Sequence, residues 1–488
     1  MSGDRPTVWT IAGSDPSGGA GLQMDLRLLN SLELNVGSVI TAITAQSLVH
    51  FTTSVAVSAD LVIKQLEALA AAPMPLPRAI KIGMIGSPEN ADAIGAAVAA
   101  HDACVILDPV IGSSSGGTLA GEQAIVALRR LLPSVDLLTP NVPEAERLLG
   151  CTIRRSEDLP AAAAALCQLG AKRVLIKGGH LGGTLVNDFY LDDQSAMWLS
   201  NYRIDGQVRG TGCALASAIA GFIALGHTLA ESLVLARARL THGIRHARNV
   251  CAGGAVLGDL HGALDKDDMP WLSTGSQLLP RQLEFPSCGP APLGFYPVVD
   301  RAAWVKRCGD LGVTTIQLRI KDLDGAKLRH EVQAATDYCA PRGIRLFIND
   351  YWQLALEMGA YGVHLGQSDL DGCDLQRLAA ASMRLGISTH AYDEAARAHA
   401  VRPSYIALGP IFATTSKPMP FAPQGMARIT EWQRLWPYPI VAIGGLTHAH
   451  AAAAVQHGAD GVACISDVTQ AADPDSQIRR WLGIGAPC

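Results

Sequence analysis

Short apolar runs alternate with longer stretches of helical periodicity along most of the 488-residue chain. This is the pattern of parallel strands buried on both faces beneath helices. In the first half, residues 8–12, 36–46, 80–84, 104–109, 135–138 and 173–176 read as buried strands. Leu22 to Leu34 carries apolar residues at helical spacing, and Ala214 to Leu225 is an apolar helix-like run. The second half is more regular. Residues 294–299, 313–318, 344–348, 361–365, 384–387, 405–408, 440–443 and 461–465 form eight strand-like runs in just under two hundred residues. Ala- and Leu-rich helical stretches separate them. Eight strand–helix units of that length predict a compact TIM barrel.

A chain this long exceeds one ordinary core, so separate domains are expected. The texture changes at 266–292: a charged stretch precedes Pro270, Pro280, Pro286, Pro290 and Pro292, with little periodicity. This predicts a first domain over 1–265, a connector over 266–292 and a second domain over 293–488. Trp271, Leu272, Leu278, Leu279 and Phe285 make the connector apolar enough to pack on a domain. An apolar fraction of 49% with 17% charged residues suits buried parallel sheets. Net charge is −5 and no Lys/Arg run occurs, which argues against nucleic acid and anionic membranes as partners. Eleven cysteines without a C-x-x-C pair point to a reducing compartment, and the absence of a leader-like segment and of any apolar run near 18 residues to a cytoplasmic protein.

Polar groups fall at successive strand ends of the first half: Asp15, Gln46, Asp108, Asn141, Glu144 and Lys177. In an open parallel sheet these ends border the ligand crevice. Singly, Gln46 either reaches a ligand or caps a turn, and Asp108 either holds a metal or caps a loop. The glycine-rich turn Gly13 to Gly21 after the first strand brings backbone close to something, but fits neither a P-loop nor a dinucleotide fingerprint. Arg209-Gly210-Thr211-Gly212-Cys213 opens the apolar run 214–225, so backbone N–H groups and a helix N-terminus offer an anion hole there. Cys213 falls on the first turn, where the dipole is expected to lower a thiol's pKa. Carboxylates for Mg²⁺, a lysine for phosphate and a glycine anion hole are the parts phosphoryl transfer needs. His242 and His246, four apart on a helical stretch, invite a zinc reading; no carboxylate completes a motif there, and a solvated helix face is expected.

In the second half, alternation puts Gln317, Arg319 and Lys321 on one face. Asn349-Asp350 and His364 to Asp369 follow the next two strands, and the two acids suit Mg²⁺. Ser388 and His390 follow the fifth strand. The sixth leads to Thr414-Thr415-Ser416-Lys417, the seventh to Gly444-Gly445, and the eighth to Ile465-Ser466. Loops after strands seven and eight are the usual barrel phosphate site.

Residues 5–265 resemble the hydroxymethylpyrimidine and phosphomethylpyrimidine kinases of thiamine synthesis, in the ribokinase superfamily. The resemblance rests on AGSDPSGGAG (12–21), KIGM (81–84), DPV (108–110), TPNVPEA (139–145), KGGH (177–180) and GTGC (210–213). It implies a three-layer α/β/α fold. It also implies a pyrimidine pocket lined by Gly13, Gln46 and Met84. Asp108, Asn141, Glu144, Lys177 and Thr211 would serve ATP and Mg²⁺, Gly210 and Gly212 the transferred group, and Cys213 the hydroxyl proton. Arg209 stands where the family often has His; it suits either a bidentate phosphate contact or altered kinetics of the second phosphorylation.

Residues 293–485 resemble thiamine-phosphate synthase through Q-x-R-x-K (317–321), ND (349–350), GVHLGQSD (362–369), TTSK (414–417) and IGG (443–445). That resemblance implies loss of pyrophosphate from the pyrimidine CH₂ and attack by the thiazole nitrogen. Gln317, Arg319, Lys321, Asn349, Ser388 and Lys417 would bind the pyrimidine diphosphate, with Arg319, Lys321 and Lys417 acting in the reaction itself. Thr414, Ser416, Gly444, Ile465 and Ser466 would bind the thiazole phosphate, and Asp350 and Asp369 the Mg²⁺. Ser416 replaces a usual Thr and keeps the hydroxyl. The two halves then imply one bifunctional enzyme acting on hydroxymethylpyrimidine, ATP and hydroxyethylthiazole phosphate. By analogy it is a possible homo-oligomer. The alternative is a pyridoxal-type kinase joined to a non-catalytic ligand-binding or regulatory barrel.

Overall fold

The computed structural model describes residues 5–72, 75–111, 122–252, 254–276, 283–414 and 421–483. The chain divides into two compact units, Met1–Leu279 and Pro280–Cys488.

The first unit is built on a ten-stranded sheet. Its strands are β1 (Thr7–Ser14), β2 (Asn35–Gln46), β3 (Phe51–Ala56), β4 (Ala79–Ile82), β5 (Cys104–Leu107), β6 (Leu137–Leu138), β7 (Val174–Ile176), β8 (Leu185–Leu191) and β9 (Ala196–Tyr202), with one more added below. A separate three-stranded sheet holds β10 (Val208–Arg209), β11 (Arg248–Cys251) and β12 (Gly254–Val256). From β2 through β1, β4, β5 and β6 to β7 all pairings are parallel, as the continuous apolar runs predict. The tenth strand, β13 (Trp271–Thr274), pairs antiparallel with β9.

The connector expected over 266–292 is therefore divided. Asn201 donates to the carbonyls of Asp268 and Met269, and Trp271 pairs with Ser200, so this stretch completes the first sheet. Beyond the division, the Phe285 N–H donates to the Arg402 carbonyl, Ser404 donates to the Pro286 carbonyl, and Cys288 enters the barrel core. Buried apolar side chains at both ends account for the difference: each end has a core to join.

The helix Thr211–Ala224 is buried along most of its length. Its small residues allow close approach; a Cβ on Gly221 would lie 2.6 Å from Leu32. One polar network fixes this helix to the sheet. Asp25 accepts from Thr10 of β1 at 2.7 Å, from Ser217 of the helix at 2.8 Å and from Lys81 of β4 at 2.8 Å. Asp25 and Lys81 are both fully buried. Burial alone would lower the Lys81 pKa, but Asp25, Cys213 and Asp108 together outweigh it and the ammonium is held charged. Removing one partner of such a pair strands a buried charge. Asp25→Ala is accordingly expected to cost about 3–5 kcal/mol of stability, read from the denaturant midpoint. A loss below about 1 kcal/mol would show that the network holds nothing in place.

The second unit is a closed parallel barrel of β14 (Gly294–Val299), β15 (Thr315–Leu318), β16 (Arg345–Asn349), β17 (Gly362–Leu365), β18 (Arg384–Thr389), β19 (Tyr405–Leu408), β20 (Ile440–Ala442) and β21 (Gly461–Cys464). β21 pairs with β14 and closes the ring. Tyr296, Phe347 and Tyr405 fill the interior. Their rings take space that other strands give up: a Cβ on Gly386 would lie 2.1 Å from Tyr405, and one on Gly362 2.6 Å from Phe347. Among the described residues, no helix is long and apolar enough to cross a membrane.

Candidate functional site

In the first unit the carboxyl ends of β5, β6 and β7 bring three charged groups together. Lys177 donates to Asp108 at 2.6 Å, and its ammonium lies 3.9 Å from Glu144. Asn141 and Glu144 form a capping box on the helix Val142–Leu149, which fixes the Glu144 carboxylate at the helix start. Burial pushes Glu144 up to about 7, against the pull of Lys177. Gly212 lies over this cluster: a Cβ there would sit 3.1 Å from the Lys177 ammonium and 3.7 Å from Asp108. Gly210 caps the helix Thr211–Ala224 at φ 76°, and a Cβ on it would meet the Gly19 carbonyl at 2.2 Å. Glycine is thus required at 210 by both backbone conformation and close approach. The glycine turn at 210–213, where the sequence suggests an anion hole, lies beside the lysine and the two acids.

Cys213 departs from expectation. Its thiol is pushed up to about 12 rather than down. Loss of hydration dominates, the Asp108 and Asp25 carboxylates add to it, and Lys81 with the Gly21 backbone only partly offsets them. Asp15 also departs. Its carboxylate accepts from the Ser17 hydroxyl and from the Ser17 and Ala20 N–H groups, so it shapes its own turn instead of facing the cluster.

Gly13 and Met84 are in contact, for a Cβ on Gly13 would lie 2.9 Å from the Met84 sulfur. Gln46 ends β2 at a shallow cavity of about 380 Å³ shared with Pro16, Ser17 and Leu48. Arg209 donates to the Ser47 carbonyl at 2.9 Å, the Leu48 carbonyl at 2.6 Å and Gln46 Oε1 at 3.4 Å. Arg209 thus braces the β2–β3 turn with Nη1, while Nη2 keeps one N–H and the buried Nε has no partner among the described residues, so the two uses open to Arg209 both stand.

In the barrel, Gln317, Arg319 and Lys321 lie on β15 and just beyond it, as alternation predicts. Lys321 pairs with Asp350, which adopts φ 65°. Asp369 lies near Asp350, and its pKa is raised by burial first and by the Asp350 charge second. Two carboxylates this close, already drawing an ammonium, fit a divalent cation. No described residue pairs with the half-buried Arg319 guanidinium. Asn349 is buried at the end of β16.

A polar chain missed by sequence reasoning crosses the barrel interior. Gln317 donates to the Tyr296 hydroxyl at 3.4 Å, Tyr296 and Tyr405 share a 2.7 Å hydrogen bond, and Tyr405 lies 2.7 Å from His364 Nδ1. His364 Nε2 reaches Ser388 at 2.8 Å. Burial holds His364 down to about 4, so its ring is neutral and couples the two hydroxyls. The period-two placement of Tyr296 and His364 among apolar strand residues was the available signal.

Thr414, Gly444, Ile465 and Ser466 line one cavity of about 530 Å³. Both glycines are needed there: Gly444 at φ 91° lies against Pro410 and Gly445 at φ 65° against the Phe412 and Ala413 carbonyls. Ser416 and Lys417 lie outside the described residues.

Each unit gathers its charged groups at the carboxyl ends of parallel strands. The class so defined is a transferase with two phosphate-handling centres in one chain. The family model for phosphomethylpyrimidine kinase matches residues 15–257, and the one for thiamine monophosphate synthase matches 295–468. A thiamine-phosphate synthase of Serratia proteamaculans is 52% identical over 185 residues, 38% of this chain and 87% of that protein. One from Rhizobium etli is 45% identical over 194 residues, 40% of this chain and 95% of that protein. The structure of the pyridoxal kinase from Staphylococcus aureus in complex with AMP-PCP and pyridoxal is similar to the first unit, with 29% identity and a TM-score of 0.50. It covers 56% of this chain and 99% of that one. The chain belongs to the phosphomethylpyrimidine kinase family through its first unit and to the thiamine-phosphate synthase family through its second, and is a bifunctional enzyme of thiamine biosynthesis.

Proposed function

We propose that the first unit transfers the γ-phosphoryl group of ATP to hydroxymethylpyrimidine, and a second one to the monophosphate. The second unit then joins the resulting diphosphate to hydroxyethylthiazole phosphate. The observation that carries the kinase reading is the Lys177–Asp108–Glu144 cluster beneath Gly212. Gly13 and Met84 form a wall for the pyrimidine ring, with Gln46 at its polar edge. Asn141, Lys177 and Thr211 serve the ATP phosphates. Asp108 and Glu144 supply oxygen ligands of the kind Mg²⁺ takes, and the ion would neutralise charge on the transferred group. The N–H groups at Gly210 and Gly212 receive the developing charge. Cys213 accepts the substrate hydroxyl proton as the new O–P bond forms and the bond to ADP breaks.

In the barrel, Arg319, Lys321, Asn349 and Lys417 hold the diphosphate. Asp350 and Asp369 would hold Mg²⁺, which supplies charge neutralisation there. The C–O bond to the pyrimidine CH₂ breaks, its electron pair leaves with diphosphate, and the thiazole nitrogen lone pair forms the new C–N bond. Gln317 and Ser388, joined through the tyrosine and histidine chain, orient the pyrimidine. Thr414, Ser416, Gly444, Ile465 and Ser466 bind the thiazole phosphate. We place the enzyme in the cytoplasm, a reading supported by free thiols at all ten described cysteines.

The test supplies hydroxymethylpyrimidine, thiazole phosphate, ATP and Mg²⁺ to the purified chain and follows thiamine phosphate by mass. Product is expected. If none forms, even from ready-made pyrimidine diphosphate, the catalytic reading of the barrel fails. The likeness to a pyridoxal kinase favours one second reading, in which pyridoxal is the preferred alcohol; a higher kcat/KM for pyridoxal than for hydroxymethylpyrimidine would establish it.

A further inference from the structure

His242 and His246, expected on a solvated helix face, are not both there. His242 is 4% exposed, while His246 at the helix C-cap is open to solvent. Their rings lie 4.2 Å apart between centroids. The carboxylate that the local sequence lacks arrives from elsewhere. After β12 the chain turns through Asp259 at φ 44°, and its carboxylate lies 3.4 Å from His242 Nε2. The turn admits no side chain at two neighbouring positions. A Cβ on Gly258 would meet the His246 carbonyl at 1.8 Å, and one on Gly262 would meet Asp259 Oδ2 at 2.3 Å and His242 Nε2 at 2.5 Å.

The surrounding hydrogen bonds set the tautomers. His242 Nδ1 lies 2.8 Å from Asp268 Oδ2, a fully buried carboxylate that also takes the Asp265 N–H and Arg245. His246 Nδ1 lies 3.0 Å from the His242 carbonyl, which only accepts. Each Nδ1 therefore carries a hydrogen, and each neutral ring presents its lone pair at Nε2. A carboxylate behind a histidine in this way is the usual support of a metal-bound imidazole. One ligand atom from each of His242, His246 and Asp259 lies within 4.8 Å of the others. Zinc bond lengths of about 2.0–2.1 Å put tetrahedral ligands about 3.3 Å apart, close to the His242–Asp259 distance. Asp259 and Asp268 balance a divalent charge, and Arg239 and Arg245 are engaged with the Gly262 carbonyl and with Asp265 and Asp268.

We propose that His242, His246 and Asp259 bind a divalent transition-metal ion of the zinc class, with Asp268 supporting His242 from behind. The ion ties the end of the helix Leu229–Arg245 to the loop after β12. Since β12 pairs with β10, and β10 runs into Gly210, the clamp steadies the strand that leads to the anion hole. Its role is structural, and neither reaction proposed above passes through it.

The test uses the full chain, stripped with a chelator and titrated with Zn²⁺ by calorimetry and with Co²⁺ by visible absorption, beside His246→Ala and Asp259→Asn. The solvent-exposed positions of both substitutions spare the core. The wild-type chain is expected to bind one more ion than either variant, with nitrogen- and oxygen-ligated Co²⁺ bands and a zinc-dependent rise in Tm that both variants lack. Equal stoichiometry and affinity in all three chains would overturn the proposal by placing the ions at cysteines or at the barrel acids. Absence of binding would overturn it in favour of an imidazolium held between Asp259 and Asp268 by protons alone.

Discussion

Arg319→Ala is expected to slow condensation about 10²–10³-fold and to leave phosphorylation at the wild-type rate. As the C–O bond to the pyrimidine breaks, negative charge accumulates on the departing diphosphate. A cation fixed beside it acts more strongly on the transition state than on the bound substrate, so the loss falls on kcat. Of the two described cations proposed to hold the diphosphate, Arg319 is the better placed. Lys321 is already paired with Asp350 and its side chain is 51% exposed, where water screens it. Arg319 is half-buried, has no described partner and offers a planar fork for phosphate oxygens. The measurement is single-turnover formation of thiamine phosphate from ready-made pyrimidine diphosphate, with phosphorylation assayed on the same preparation. Loss of both activities in a folded chain would refute two separate sites. Unchanged condensation would remove Arg319 from the barrel chemistry.

The parallel strands were legible because strands buried on both faces are continuous apolar runs, and such runs survive in sequence whatever surrounds them. The antiparallel β8 and β9 were not legible. Their buried positions include Asn187, Asp188, Ser200 and Asn201, satisfied by Arg237, by one another and by main chain, so neither alternation nor a pure apolar run marks them. Site residues followed the same division. Lys177, Asp108 and Glu144 each end a strand or open a helix, and the fold class alone brings such ends together. Asp15 stands at an equivalent place, yet its turn consumes its hydrogen-bonding capacity locally. Asp25 and Lys81 could not be paired by inspection, being 56 residues apart and joined only by the crossing of β4 beneath the helix that carries Asp25. Sequence position predicted the helix dipole at Cys213 correctly; it did not predict the depth of burial, and burial decides the sign of the shift.

That sign shapes the second large effect. Cys213→Ala is expected to lower phosphorylation about 10²–10⁴-fold, the usual worth of a positioned base, and to spare condensation. With its thiol pushed up to about 12, Cys213 is protonated in the resting site. The reactive thiolate fraction rises with pH throughout the working range, and so should the rate. Glu144 also titrates, near 7, and contributes its own rise as it ionises. The two contributions separate by slope and by mutation. Below pH 7 both rise together, and only the shallower Glu144 rise persists in Cys213→Ala. The limb above pH 8 belongs to the thiol and is absent from it. A pH profile of kcat for the first phosphorylation, in both chains, reads this directly. If Cys213→Ala stays within about tenfold of wild type and keeps the alkaline limb, the proton leaves by another route. Catalysis would then rest on the Gly210 and Gly212 N–H groups with Lys177, as a loose phosphoryl-transfer transition state permits, because it asks more of charge stabilisation and alignment than of the base.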